Sequence, residues 1–158
     1  MSRLGAAVNV ITTVSTDGRH GFTASAVCSV TDAPPTLLVC MNRGASSRHA
    51  FVVGGPLCVN TLAADQRDIS QAFASGSDME ERFASGSWSV LSTGAPVLEQ
   101  AVVSFDGLIV TIVEVGTHSV LFCEIEAGRV GDSSHGLIYF NRDYHGLVST
   151  EEEATRAR

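Results

Sequence analysis

VNVITTVSTDGRHGFTASAVCSV, residues 8–30, decides how the fold reads. Residues 8–14 largely alternate apolar and polar side chains, the two-residue period of a half-buried strand. Asp17-Gly18 is a short hairpin loop, and FTASAVCSV, residues 22–30, reads as the returning strand. The middle of that strand, Thr23-Ala24-Ser25-Ala26, is small and mildly polar, where a strand that only fills a core would carry Val, Ile or aromatics. Two explanations stand side by side. One is a tightly packed barrel strand. The other is an extended backbone kept bare so that a flat ligand can lie against it, with the hydroxyls of Thr23, Ser25 and Ser29 nearby.

Strand signals continue outward from the hairpin. Pro34-Pro35 closes the second strand, and TLLVCM, 36–41, forms the next. A loop of small residues, NRGASS over 42–47, leads into a short helical segment, RHAFVV, and LCVNTL over 57–62 is again a strand. DQRDISQAFA, 65–74, places Ile69, Ala72 and Phe73 at helical spacing with Asp65 as N-cap, and DMEERFA, 78–84, predicts a second short helix capped by Ser77 or Asp78. Strands return over 101–115 and 118–130 around the tight turn Gly116-Thr117, and a last strand over 137–141 takes in the run GLIYF. Six or seven strands with two short helices predict a mainly β fold, a closed or nearly closed antiparallel barrel; the long helices of βαβ units are missing. One domain over 1–147 and a charged tail over 148–158 are expected.

With 44% hydrophobic and 17% charged residues the 158-residue chain has a globular composition. A net charge of −7 with scattered basic residues argues against a nucleic-acid binder. No apolar run reaches the roughly 18 residues of a spanning helix, so no membrane partner is expected. The start, LGAAVNVITTV after Arg3, lacks a signal-peptide pattern, which predicts a cytoplasmic protein. Cys28, Cys40, Cys58 and Cys123 lie far apart without zinc spacing, so no metal site is read, and all four are expected to be buried, reduced thiols.

Dinucleotide, Walker, zincin and nucleophile-elbow signatures are absent, and the carboxylates are not grouped as a general-acid pair. If the chain is an enzyme, a bound cofactor carries the hard chemistry. Three places could build its site: the bare strand 23–29; NRGASS, with Ser46 and Ser47 hydroxyls ahead of a helix and Arg43 or Arg48 adding charge, a seat for a phosphate as well as an ordinary capped loop; and the histidines. His118 follows the Gly116-Thr117 turn at a barrel rim, and His145 follows Tyr144 just after the last strand, where either could be structural or functional. His20 and His135 read as solvated surface residues, and His49 could cap the helix or contact an anion near Ser47, the structural reading being favoured.

Taken together, AAVNVITT (6–13), TASAVCSVTDAPP (23–35), LCVNTL (57–62), MEERF (79–83), APVL (95–98), GTH (116–118) and HGLIYFNRDYH (135–145) resemble the short-chain flavin reductase family. Within it the likeness is to the reductase component of 4-hydroxyphenylacetate 3-monooxygenase. The resemblance implies an FMN-binding split barrel and a homodimer. It further implies NADH- or NADPH-dependent reduction of free FAD or FMN, with the reduced flavin diffusing to a separate oxygenase. Carried over by position, Thr23, Ala24, Ser25, Ala26, Cys28 and Ser29 would line the flavin ring. Asn42, Ser46 and Ser47 would hold its ribityl-phosphate side, and Asn60 would touch the ring edge. His118 would face the nicotinamide as the catalytic residue, and Arg142, Tyr144 and His145 would lie near the nicotinamide nucleotide. Family members usually carry an N-terminal helix before AAVNVITT, whereas this chain begins just upstream of it, so part of the barrel is expected to be exposed. Many members have Asp where Thr117 stands, although the subgroup in question also reads GTH. Two other readings stay open: a non-catalytic flavin-binding module, and a reductase for a different oxygenase acting on another phenol or a pyrimidine.

Overall fold

The first hairpin folds as its alternation dictates. The computed structural model describes residues 1–148, and its elements in chain order begin with β1 (Ala6–Ala7), β2 (Asn9–Ser15) and β3 (Gly18–Ala24). Ser15 pairs with Gly18 across a two-residue turn, and Gly18 takes φ +122°, a conformation costly for any residue with a Cβ. The returning strand does not run unbroken over 22–30. It ends at Ala24, and β4 (Val27–Asp32) begins after the break at Ser25-Ala26. β5 (Pro35–Asn42) follows, then a single 3₁₀ turn (Arg48–Ala50) in place of the longer helical segment, and β6 (Pro56–Thr61).

α1 (Arg67–Ala74) starts from Gln66 rather than Asp65 and buries Ile69, Ser70 and Phe73 on one face. α2 (Met79–Ala84) is capped by Asp78, whose carboxylate accepts the Glu81 amide at 2.9 Å. Two-residue strands β7 (Trp88–Ser89) and β8 (Val97–Leu98) pair with each other. β9 (Val103–Val115) and β10 (His118–Val130) form a long hairpin, and β11 (Gly136–Phe140) and β12 (Asp143–Leu147) a shorter one.

Seven strands form one antiparallel sheet in the order β3-β2-β6-β9-β10-β5-β4, and β1-β11-β12 form a second. The larger sheet curls around one core made by Ile11, Phe22, Met41, Val59, Ile109 and Leu121, each from a different strand. It is not closed, which corrects the barrel expectation: β3 and β4 are its two edges and do not pair with each other. Ser25-Ala26 carries the chain from one edge to the other, which is why the strand breaks there. The register shifts twice along β9–β10, at Phe122/Cys123 and Ile125/Ala127, and once along β4–β5, between Ser29 and Thr31, irregularities of the kind that bend a sheet. At the second shift a Cβ on Gly107 would lie 2.0 Å from the Glu124 carbonyl oxygen, so only glycine fits.

The helices cover β3 through a second core in which Phe73, Phe83 and Trp88 stack with centroids 4.9–5.5 Å apart. Cys58 and Cys123 are buried as expected; Cys28 is exposed and Cys40 half-buried, because β4 is an edge strand and Cys40 on β5 faces a cavity. Burial pushes the Cys123 thiol up to about 12 and raises that of Cys58 as well. Among the described residues no helix is long and apolar enough to cross a membrane. The charged tail falls, from residue 149 on, outside the described residues.

Candidate functional site

A cavity of about 920 Å³ opens beside the break between β3 and β4, within the roughly 300–1,000 Å³ of small-molecule sites. One wall is the end of β3 and the crossing segment: Thr23, Ala24, Ser25 and Ala26. Facing it are Asn42 at the end of β5 and the loop through Ser46 and Ser47, and His118 stands at the rim. Asn42 and His118 are cross-strand partners, so the β5–β10 pairing sets their juxtaposition. The cavity thus gathers eight of the residues singled out in the sequence: Thr23, Ala24, Ser25, Ala26, Asn42, Ser46, Ser47 and His118.

The polar atoms divide into those already engaged and those left over. Thr23 donates its hydroxyl to the Ser70 carbonyl on α1 at 2.6 Å, so this hydroxyl is a tie between wall and helix. Asn42 accepts the Gly44 amide at 2.8 Å and shapes the loop. His118 Nδ1 lies 2.9 Å from the Thr117 hydroxyl. Ser47 is almost fully buried, yet its Oγ has no hydrogen-bond partner. A buried hydroxyl left unpaired costs about 1–3 kcal/mol, and Ser47 is one of the residues lining the cavity.

The arginines of the NRGASS stretch do not face this seat. Arg43 and Arg48 both bind Glu114, at 3.2 and 2.9 Å, and Ser119 donates to the same carboxylate. The Ser119 hydrogen bond, and after it Arg48, hold the Glu114 carboxyl below its ordinary range. With only a three-residue 3₁₀ turn behind the loop, a helix dipole adds nothing either.

Positive charge enters from elsewhere. Arg82, 6% exposed on α2, lines the cavity. It donates from Nε to the Ser77 carbonyl (3.0 Å), from Nη1 to Gly21 (3.3 Å) and from Nη2 to Ser75 (2.7 Å). A guanidinium has five N–H groups, so two remain, and among the described residues no carboxylate forms an ion pair with it. Sequence reasoning placed Arg82 only inside the MEERF run. Nothing local shows that a segment between two short helices closes the third wall, Ser75 to Met79. His20 and His49 also line the cavity, and His20 is buried rather than solvated, because β3 turns it inward beside Asp17.

The other residues singled out lie away from the cavity lining. Cys28 and Ser29 are exposed on β4. Asn60 is fully buried: its amide donates to the Val10 carbonyl and Thr12 Oγ1 and accepts from the Leu98 amide and Ser104 hydroxyl, so it ties core strands together. Arg142 is in the β11–β12 turn with φ +67°, and His145 Nε2 contacts the Phe140 carbonyl at 3.1 Å. Tyr144 reaches the wall indirectly, its hydroxyl 2.8 Å from Ser70 Oγ, on the residue whose carbonyl holds Thr23.

Comparison with known proteins adds three findings. A family model described as a flavin reductase like domain matches residues 1–148. The FMN reductase (NADH) RutF of Ancylobacter novellus is 56% identical over 152 residues, covering 96% of this chain and 84% of that protein. Among solved structures, one described as a flavin reductase from Haemophilus somnus superposes with a TM-score of 0.90 at 48% identity over 93% of this chain and 94% of that one. BorF, the flavin reductase component of a bacterial two-component tryptophan halogenase, superposes at 0.84 with 28% identity over 94% of each chain.

Proposed function

The chain belongs to the flavin reductase like family, and from that premise we propose that it is an NADH-dependent FMN reductase that delivers reduced flavin to a separate oxygenase. One observation carries the reading: the bare segment Thr23 to Ala26 and the Ser46-Ser47 loop line a single cavity together with Arg82, a guanidinium that no carboxylate pairs among the described residues. These features suit a flat, anionic ligand. When bound, the flavin supplies the redox chemistry by accepting a hydride from the reduced nicotinamide.

The protein's part is placement, which needs no acid–base dyad. Thr23 to Ala26 present backbone and small side chains to the ring. Asn42, Ser46 and Ser47 take the ribityl-phosphate side, with the Ser47 hydroxyl as donor. Arg82 favours an anionic ligand over a neutral one. His118 at the rim orients the nicotinamide. Arg142, Tyr144 and His145, assigned to the nucleotide by family resemblance, have no place in the lining of a single chain; Tyr144 acts on the wall through Ser70.

The chain is taken to work as a cytoplasmic homodimer. β4 supports this, since it is an uncovered sheet edge carrying Cys28, Ser29 and a 46% exposed Val30, the kind of edge a second copy covers. Light scattering should give twice the chain mass, and a monomer at working concentration would remove the dimer from the proposal. The names of the relatives favour FMN over FAD and NADH over NADPH. They lend no support to 4-hydroxyphenylacetate hydroxylase as partner, so the reading kept is a different oxygenase, for another phenol or a pyrimidine.

The test is NADH oxidation followed with riboflavin, FMN and FAD each in excess. Many turnovers per chain are expected, with the highest kcat/KM for FMN. A single stoichiometric reduction would make the protein a flavin-binding module instead.

A further inference from the structure

We propose that Asp17, His20 and His49 bind a divalent transition-metal cation of the Zn²⁺ type at the edge of the cavity. The first two residues come from the β2–β3 hairpin and the third from the 3₁₀ turn, and their ligand atoms all lie within 4.8 Å of one another. His20 Nε2 is 3.0 Å from Asp17 Oδ1 and His49 Nε2 is 3.0 Å from Oδ2.

The hydrogen-bonding of His49 asks for a positive charge, supplied either by a second ring proton or by a metal ion in its place. Its Nδ1 lies 3.1 Å from the Ser46 carbonyl and its Nε2 faces the Asp17 carboxylate, so both ring nitrogens meet groups that can only accept. Neutral imidazole has one N–H. With that proton on Nδ1, the Nε2 lone pair points at a carboxylate, and a cation between them removes the clash. The Ser46 carbonyl then fixes the tautomer as outer partners of metal-bound histidines do, and the Ser15 hydroxyl donating to Asp17 does the same for the carboxylate. Two imidazoles and a carboxylate suit Zn²⁺ and its neighbours, not Mg²⁺ or Ca²⁺. Bonds of about 2.0–2.2 Å require the three atoms to draw together, which the half-exposed side chains of Asp17 and His49 can do around the more fixed His20. His20 and His49 line the cavity, so an open coordination position faces it. The ion would clamp the hairpin to the loop that carries Ser46 and Ser47.

The test uses tag-free full-length protein, stripped of metal and without flavin, so its outcome is independent of reductase activity. Titration with Co²⁺ should develop visible d–d bands, equilibrium dialysis should retain one Zn²⁺ per chain, and the melting temperature should rise. D17N and H49Q, both at exposed side chains, should each weaken binding at least about tenfold. Absence of the bands, or unchanged affinity in both variants, overturns the proposal. So does a ¹⁵N NMR signature of a doubly protonated His49 in excess Zn²⁺, because a proton then occupies the place of the metal.

Discussion

Arg82→Met removes the buried guanidinium from the cavity wall while keeping an unbranched side chain that reaches as far as the arginine Nε. Three carbonyls lose their donor: Ser75 at 2.7 Å, Ser77 at 3.0 Å and Gly21 at 3.3 Å. Hydrogen bonds to a charged group contribute about 1.5–3 kcal/mol each, and a buried carbonyl left unpaired costs about 1–3 kcal/mol. Ser75 is exposed and Ser77 half-buried, so water replaces much of what they lose, whereas Gly21 is buried. Relief from burying a charge without a carboxylate offsets part of the sum. The net expectation is a loss of about 3 kcal/mol, which for a domain of this size is about 6–12 °C in Tm. Urea unfolding followed by fluorescence of Trp88 suits the measurement, since its indole donates to the Phe83 carbonyl next to Arg82. FMN affinity, read from quenching of flavin fluorescence, should fall at least about tenfold, the equivalent of 1.4 kcal/mol. Arg82→Lys keeps the charge and should recover affinity better than stability. If Arg82→Met changes stability by less than about 0.5 kcal/mol and leaves FMN affinity unaltered, Arg82 is neither strut nor anion partner. Equal affinity loss in Met and Lys variants would refute the charge argument alone.

The remaining predictions are shorter. Ala26→Leu, at an exposed position of the crossing segment, should abolish flavin binding with little change in Tm; equal loss of both would make the segment a packing element only. His118→Ala should raise the KM for NADH and lower kcat/KM while FMN affinity holds, and the reverse pattern would remove His118 from the nicotinamide side. The Glu114 carboxyl is held below its ordinary value, so its clamp on Arg43 and Arg48 is fully present above that value and is lost as pH falls through the lower folded one. Protection of the 42–48 loop amides, relative to their intrinsic exchange rates at each pH, should therefore fall in acid in the wild type, whereas Glu114→Gln should show low protection already at neutral pH and no acid step.

Much of this was legible from local pattern. Alternation and turn residues fixed the first hairpin, and His118–Val130 has the bounds its run of residues gives. Asp78 caps α2 because a short acidic side chain precedes a helical run. What escaped depends on residues brought together across the fold. FTASAVCSV reads as one strand because nothing in nine residues reveals that its halves belong to opposite edges of a seven-stranded sheet. Closure of that sheet likewise depends on how far it curls, which local period does not encode. The family resemblance puts Asn60 at the ring edge, yet its strand lies between β2 and β9, where core hydrogen bonds claim the whole side chain. Arg43 and Arg48 stand beside a phosphate-like loop in sequence, but the β9–β10 hairpin delivers Glu114 to them. Arg82 and the 75–79 segment join the site only because α1 and α2 fold over β3.

The tie from Thr23 through Ser70 to Tyr144 bears on what the cavity can tell apart. With the threonine hydroxyl consumed, this side of the cavity offers a ring little beyond main-chain groups, methyls and the Ser25 hydroxyl. Such a surface grips any flat heteroaromatic of suitable width and reads few of its substituents. On the proposed reading, discrimination among riboflavin, FMN and longer nucleotides would therefore fall to Arg82 and to the loop at Ser46 and Ser47. Selectivity for the tail of the ligand and tolerance toward its ring become separable properties, governed by different segments and open to separate alteration.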